Sequence, residues 1–177
     1  NNNNNSSGVT RHVILIRHGQ YDETYEEDEK RVLTKLGREQ ADKTGQRLAK
    51  LFQGENGETR PSIKVIRVSN MARAKETANI IAKHLPMAQI KDPDPLLNEG
   101  MPAQVIPSCP ELQLEKYMEE DHEPIEKAFK KYFYRATKQD EKEQKEEHEF
   151  EIIVCHGNVI RYFFCRALQL PPEAWLR

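Results

Sequence analysis

Val13-Ile14-Leu15-Ile16-Arg17-His18-Gly19-Gln20 is the stretch that decides the fold. A short apolar run closed by polar residues reads as a strand buried on both faces, the kind found in parallel sheets. Its end brings an imidazole, a guanidinium and a bare backbone to one point, an arrangement suited to holding and attacking a phosphoryl group. Two more segments repeat the form. Ile152-Ile153-Val154 leads into Cys155-His156-Gly157-Asn158, and Ile63-Lys64-Val65-Ile66-Arg67-Val68 leads into Ser69-Asn70-Met71-Ala72-Arg73-Ala74.

Helical patterns separate these runs. Thr34 is placed to cap a helix reaching about Phe52, and Gly54 to Pro61 breaks it. Ser69 or Asn70 is expected to cap a second helix reaching about His84. Asp92 to Pro110 holds five of the ten prolines and must be largely non-helical. Such a long irregular stretch in a compact domain is usually functional. Ile125, Phe129, Tyr132 and Phe133 form a helical stripe, Glu151 to Cys155 a strand, and Val159 to Leu168 a last helix ended by Pro171-Pro172. Tyr21 to Arg31 is acidic without apolar period and reads as a loop. Strands alternating with helices predict an α/β fold: a three-layer sandwich with a mostly parallel central sheet flanked by helices. Ligands of such sheets sit beyond the carboxyl ends of the strands, where His18, Arg73 and His156 all fall.

The composition bounds the rest. A chain of 177 residues with a formal charge of −2 and no basic stripe is a poor nucleic-acid binder. The charged fraction of 32% has a local source in Lys138 to Glu149, and Asp140 to Glu151 reads as a solvated insertion. The three cysteines lack CxxC spacing, which fits free thiols in a reducing compartment, with Cys155 and Cys165 as packing residues. No run approaches the roughly 20 apolar residues of a membrane span. Asn1 to Ser7 is a polar tract, so residues 1–10 are expected to be a disordered tail and 11–177 the domain.

The strand-end residues divide the work of phosphoryl transfer. His18 is the candidate nucleophile: a neutral imidazole nitrogen attacks phosphorus while its other nitrogen is tied down, a backbone carbonyl near Gly19 being the natural acceptor. Arg17 and Arg73 are candidate phosphate clamps, since a guanidinium matches two phosphate oxygens and keeps its charge. Gly157 would admit a phosphate to the backbone N–H groups of the following helix. His156, if protonated, would donate to a non-bridging oxygen. Glu99 is the candidate general acid for the leaving alkoxide, its pKa raised by the transferred phosphate. Each residue alone has a duller reading: a surface pair, a core histidine, one of 29 acidic residues. Their convergence favours a shared ligand. The six histidines show no HxxxH or HExxH spacing, so no metal site is predicted, and no GxxxxGK[ST] loop is present.

These segments resemble the histidine phosphatase superfamily, which includes phosphoglycerate mutase. Within it the resemblance is to a family of mitochondrial serine/threonine protein phosphatases. It rests on Arg11-His12 with Ile16 to Tyr21, Leu33-Thr34 with Leu36 to Ala41, Cys155 to Tyr162, and Leu170-Pro171-Pro172-Glu173-Ala174-Trp175-Leu176-Arg177. The resemblance implies a phosphohistidine on His18, a phosphate pocket of Arg17, Arg73 and His156, Glu99 as acid, and no cofactor. It also implies a phosphorylated protein substrate, a mitochondrial location, homo-oligomerisation, and membrane association only through a segment outside this chain. Such proteins continue past the equivalent of Arg177 into further strand, so the domain is expected to be truncated at its C-terminus. Two other readings stay open: a sugar-phosphate mutase or small-molecule phosphatase with the same pocket, and a phosphate-dependent adaptor without turnover.

Overall fold

Alternation in the apolar strands sorts side chains onto two faces of one sheet. The structure, a computed structural model, describes residues 10–52, 62–108, 110, 114–135 and 148–177. In chain order the elements are β1 (Thr10–Arg17), α1 (Lys35–Phe52), β2 (Ile63–Val68), α2 (Ala72–Ala82), β3 (Gln89–Ile90), α3 (Leu114–Tyr132), β4 (His148–Cys155) and α4 (Gly157–Ala167). The four strands pair in the order β1-β4-β2-β3, all parallel.

β4 lies inside the sheet and shows how period two builds two cores. Ile152 and Val154 pack with Ile66, Val68, Ala74, Ala78 and Ile81 under α1 and α2. Ile153 and Cys155 pack with Ile125, Ala128, Val159 and Phe163 under α3 and α4. β1 divides likewise, with Ile14 and Ile16 toward the first core and Val13 and Leu15 toward the second. This is the expected three-layer α/β arrangement. Cys155 and Cys165 are buried free thiols that pack in the second core.

Several expectations shift by a few residues. β4 begins at His148, and Glu151 is not solvated: it is half-buried between Arg11, 3.0 Å away, and Arg67. The two-residue β3 carries too short an apolar signal to be read from sequence. Thr34 caps α1 as expected, its hydroxyl accepting from the Gly37 N–H at 3.1 Å. α2 is different. It starts at Ala72, and neither Ser69 nor Asn70 caps it; the Asp28 carboxylate instead accepts from the Ala72 N–H at 2.8 Å. The tail before Thr10 and the charged segment 136–147 lie outside the described residues.

Backbone bonds continue past the strand ends and draw three segments together. The His18 N–H donates to the Cys155 carbonyl at 3.1 Å, and the Ser69 N–H to the Val154 carbonyl at 3.0 Å. The irregular region after β3 is pinned against the same end. Trp175, 1% exposed, donates its indole N–H to the Ala103 carbonyl at 2.9 Å. Asn158 Nδ2 donates to the Gly100 carbonyl at 3.2 Å.

Candidate active site

His18, Arg73 and His156 are buried together where β1, β2 and β4 end. Native proteins pair nearly all buried polar atoms. Among the described residues, the buried side-chain atoms without a partner are Arg31 Nε, Arg73 Nε and His156 Nδ1. All three belong to this one cluster.

His18 Nδ1 lies 2.8 Å from the Gly19 carbonyl, which only an N–H can satisfy. The proton is therefore on Nδ1, and Nε2 keeps its lone pair. The Gly19 peptide is itself held: its N–H donates to Thr77 Oγ1 at 3.1 Å, and the Thr77 hydroxyl donates to the Arg73 carbonyl at 2.8 Å. A Cβ on Gly19 would meet the Gly37 carbonyl oxygen at 2.4 Å, so this turn packs backbone against backbone. Burial first, then the charges of Arg73, Arg17 and Arg31, lower the His18 pKa from 6.5 to about 4, against the Gly19 bond that raises it. The ring is neutral at neutral pH.

The His156 ring lies 5.1 Å from the His18 ring, centroid to centroid. Burial, followed by Arg73, His18 and Arg17, lowers its pKa to about 2. Donation by His156 was expected only if the ring is protonated, and in the free protein the ring is held neutral.

Arg73 is 3% exposed, with its guanidinium 4.6 Å from the centre of the Tyr21 ring. It donates through Nη1 to Asp28 Oδ1 at 3.1 Å. Asp28 therefore does two jobs in the acidic loop, capping α2 and holding Arg73. Arg31 donates from Nη2 to the Tyr21 hydroxyl at 3.1 Å and adds a third guanidinium. Arg17 is exposed and lies over Gly157, where an added Cβ would stand 3.6 Å from Arg17 Nε. Protein contacts alone would tolerate a side chain at Gly157. A cleft of about 370 Å³ opens beside His18, lined by Arg17, Gln20, Tyr21, Glu23 and Gln40.

Glu99 completes the set. Burial raises its pKa, against the amides of Gly100 and Asn158 and the charges of Arg73 and Arg17. A carboxyl tuned upward suits a proton donor near neutral pH. Every residue expected at the site thus gathers at one end of the sheet. Sequence reasoning missed Tyr21, Asp28, Arg31, Thr77 and Asn98. Thr77 alone left a signal, since i and i+4 place it on the helix face of Arg73.

The sequence pattern that describes the histidine phosphatase superfamily (branch 1) matches residues 13–177. The chain belongs to the histidine phosphatase superfamily. It is 47% identical over 175 residues to "Serine/threonine-protein phosphatase PGAM5, mitochondrial" of Xenopus laevis, covering 99% of this chain and 58% of that protein. Its human counterpart is 46% identical over 172 residues, covering 96% and 54%. The chain thus spans little more than half the length of the curated relatives it matches. Among solved structures, a phosphoglycerate mutase of Plasmodium falciparum superposes with a TM-score of 0.62 at 39% identity, covering 96% of this chain and 76% of that one. The α-ribazole phosphatase of Shigella flexneri shares the fold at 18% identity, with a TM-score of 0.57 and coverages of 93% and 83%. The architecture is the phosphoglycerate mutase-like α/β fold of this superfamily.

Proposed function

We propose that this chain carries the phosphatase domain of a serine/threonine protein phosphatase that works through a phosphohistidine on His18. The observation that carries the reading is the neutral His18 ring, its proton fixed on Nδ1 by the Gly19 carbonyl and its Nε2 lone pair set among guanidiniums. Arg17, Arg73, His156 and the backbone at Gly157 form the phosphate pocket, and Glu99 is the acid.

Two displacements follow. Nε2 of His18 attacks phosphorus, the P–O ester bond breaks, and the leaving serine or threonine oxygen takes the Glu99 proton. Water then attacks the phosphohistidine, gives a proton to the Glu99 carboxylate, and the P–N bond breaks to release phosphate. Arginines near the equatorial oxygens stabilise charge where it accumulates. The names of the relatives support a phosphoprotein substrate and a mitochondrial setting. Self-association and membrane attachment through a segment outside this chain belong to the same reading.

The mutase reading has one observation in its favour, the 39% identity to the Plasmodium phosphoglycerate mutase. Against it, the cleft beside His18 includes Glu23, which repels a small multiply charged sugar phosphate. The decisive assay is phosphate release from a phosphothreonine peptide with EDTA present. His18→Ala is expected to lower the rate by about 10⁴-fold or more. A folded wild-type chain that releases no phosphate, or that works only with added bisphosphoglycerate, would overturn the phosphatase reading.

A further inference from the structure

His156 is the one imidazole of the pocket whose protonation the phosphatase reading leaves unexplained. Its ring is buried and neutral, yet it must offer a hydrogen to a phosphate. The bonds behind the ring decide which nitrogen does so. The Asn70 N–H reaches Asn98 Oδ1 at 3.0 Å, which identifies that atom as the amide oxygen. Ser69 Oγ lies 2.9 Å from the same oxygen, so the hydroxyl proton must point to Asn98. Ser69 Oγ is then an acceptor, from the Met71 N–H at 3.2 Å and from His156 Nε2 at 2.8 Å. His156 Nε2 therefore carries the hydrogen, and Nδ1 is a bare lone pair, buried and without a partner. The Nδ1–H alternative would set the Ser69 and Asn98 oxygens against each other with no proton between them.

We propose that Asn98, acting through Ser69, is a positioning residue that holds His156 with Nδ1 as the atom presented to the bound phosphate. The proposal rests on the phosphatase reading above. It has a consequence for protons. The dianion of a phosphate monoester offers only acceptors, so Nδ1 bonds it only after gaining a proton. Binding then takes one proton from solvent, the N–H bond forms at Nδ1, and the resulting imidazolium donates to a non-bridging oxygen. No other bond changes. The charged and titratable groups facing this event are Arg17 at the end of β1, His18 just beyond it and Arg73 from α2, with Glu99 beside the two arginines. The guanidiniums oppose a cationic His156 in the free protein, and a phosphate dianion among them reverses that balance. Asn98 is well suited to this role because it also fixes the chain immediately before Glu99. One side chain thereby registers the acid and the second histidine against the same strand end.

The test is the ¹⁵N spectrum of the histidine rings in the free wild-type protein, with the His156 signals assigned by their loss in His156→Gln. The expected result is a protonated Nε2 and an unprotonated Nδ1. Affinity for sulfate, a dianion with no hydrogen of its own, is expected to weaken by about tenfold per pH unit from about pH 6 to 8. In Asn98→Leu the Ser69 hydroxyl loses its acceptor and turns to His156. The proton then moves to Nδ1, the pH slope of sulfate affinity flattens, and kcat falls about tenfold because a neutral donor replaces a charged one. A wild-type His156 protonated on Nδ1 would overturn the proposal, as would an Asn98→Leu protein with unchanged tautomer and slope. Should Asn98→Leu fail to fold, the wild-type spectrum and slope still decide. Should the wild-type chain bind no sulfate and hydrolyse no ester, the phosphatase reading fails, while the two spectra still report whether Asn98 sets the tautomer.

Discussion

Two arginine clusters in this protein use the same residue types to opposite ends. Under α3, Glu151 sits between Arg11 and Arg67, and each guanidinium lies over a tyrosine ring, Arg11 3.7 Å from the centre of Tyr134 and Arg67 5.1 Å from that of Tyr132. At the strand ends, Arg31 and Arg73 also lie over a tyrosine, with Arg17 lining the same cleft, but buried atoms there are left unpaired. Asp28 answers Arg73 through one oxygen only. The first cluster is complete without a ligand and binds strands together. The second is left with surplus positive charge and donors, which is what an incoming phosphate requires. Residue type does not separate structure from site here; unfinished pairing does.

The sharpest way to break that comparison is to truncate one arginine from each cluster. Arg73→Ala should lower kcat/KM for a phosphate ester by about 10²–10³-fold with little loss of fold. Arg73→Lys should recover only part of this, because an ammonium cannot replace the planar fork. Arg67→Ala should change kcat/KM by less than about threefold but lower unfolding stability by about 1–3 kcal/mol, since Glu151 loses a partner. Comparable effects of the two on turnover would show that the cluster under α3 serves the chemistry as well.

Glu99 sharpens the comparison through the leaving group. Glu99→Gln keeps size and polarity but removes the transferable proton. Turnover of a phosphothreonine peptide should fall by about 10²-fold, because an alkoxide leaves poorly without protonation. An aryl phosphate, whose phenolate leaves unaided, should lose far less in the first step. Equal losses in the rate of phosphohistidine formation from the two substrates would place Glu99 in phosphate positioning rather than in proton donation to the leaving group.

How much of this was legible in advance follows from the range of the forces involved. β1, β2 and β4, their order along the chain and the gathering of Arg17, His18, Arg73 and His156 at one end could be read, because apolar period and strand ends are local signals; β3 and the approach of Glu99 to that end could not. The tether of His18 Nδ1 was only suggested: a carbonyl near Gly19 would serve, and the structure supplies the Gly19 carbonyl itself. Asp28 was not. Within an acidic loop it looks like its neighbours, and only the tertiary fold turns its carboxylate onto Arg73 and the start of α2. Asn98 and Ser69 failed for the same reason: they lie 29 positions apart, and neither carries a charge to announce a partner. The neutral state of His156 is a property of burial among cations, which no single segment encodes.

Acid should produce the smallest effect, and its pH window separates the site from an ordinary ion cluster. The His18 pKa is 6.5 in an exposed setting and about 4 in the fold. Between those values the unfolded chain binds more protons than the native one, so folding loses stability as pH falls. The contribution is complete above 6.5 and disappears as pH drops through about 4. His156 extends the same loss toward about 2. Glu126 behaves otherwise. Burial raises its pKa, but bonds from Arg166 and Tyr162 outweigh that and hold it at about 2, so its contribution is lost only below the ordinary 4.5. Thermal unfolding from pH 7 to 5 should therefore show a falling Tm in the wild type and a shallower fall in His18→Gln, whose side chain does not titrate. Glu126→Gln should lower Tm by a constant amount across that window. Parallel curves for wild type and His18→Gln would mean that the fold tolerates a charged His18, and the neutral nucleophile would then lose its physical basis.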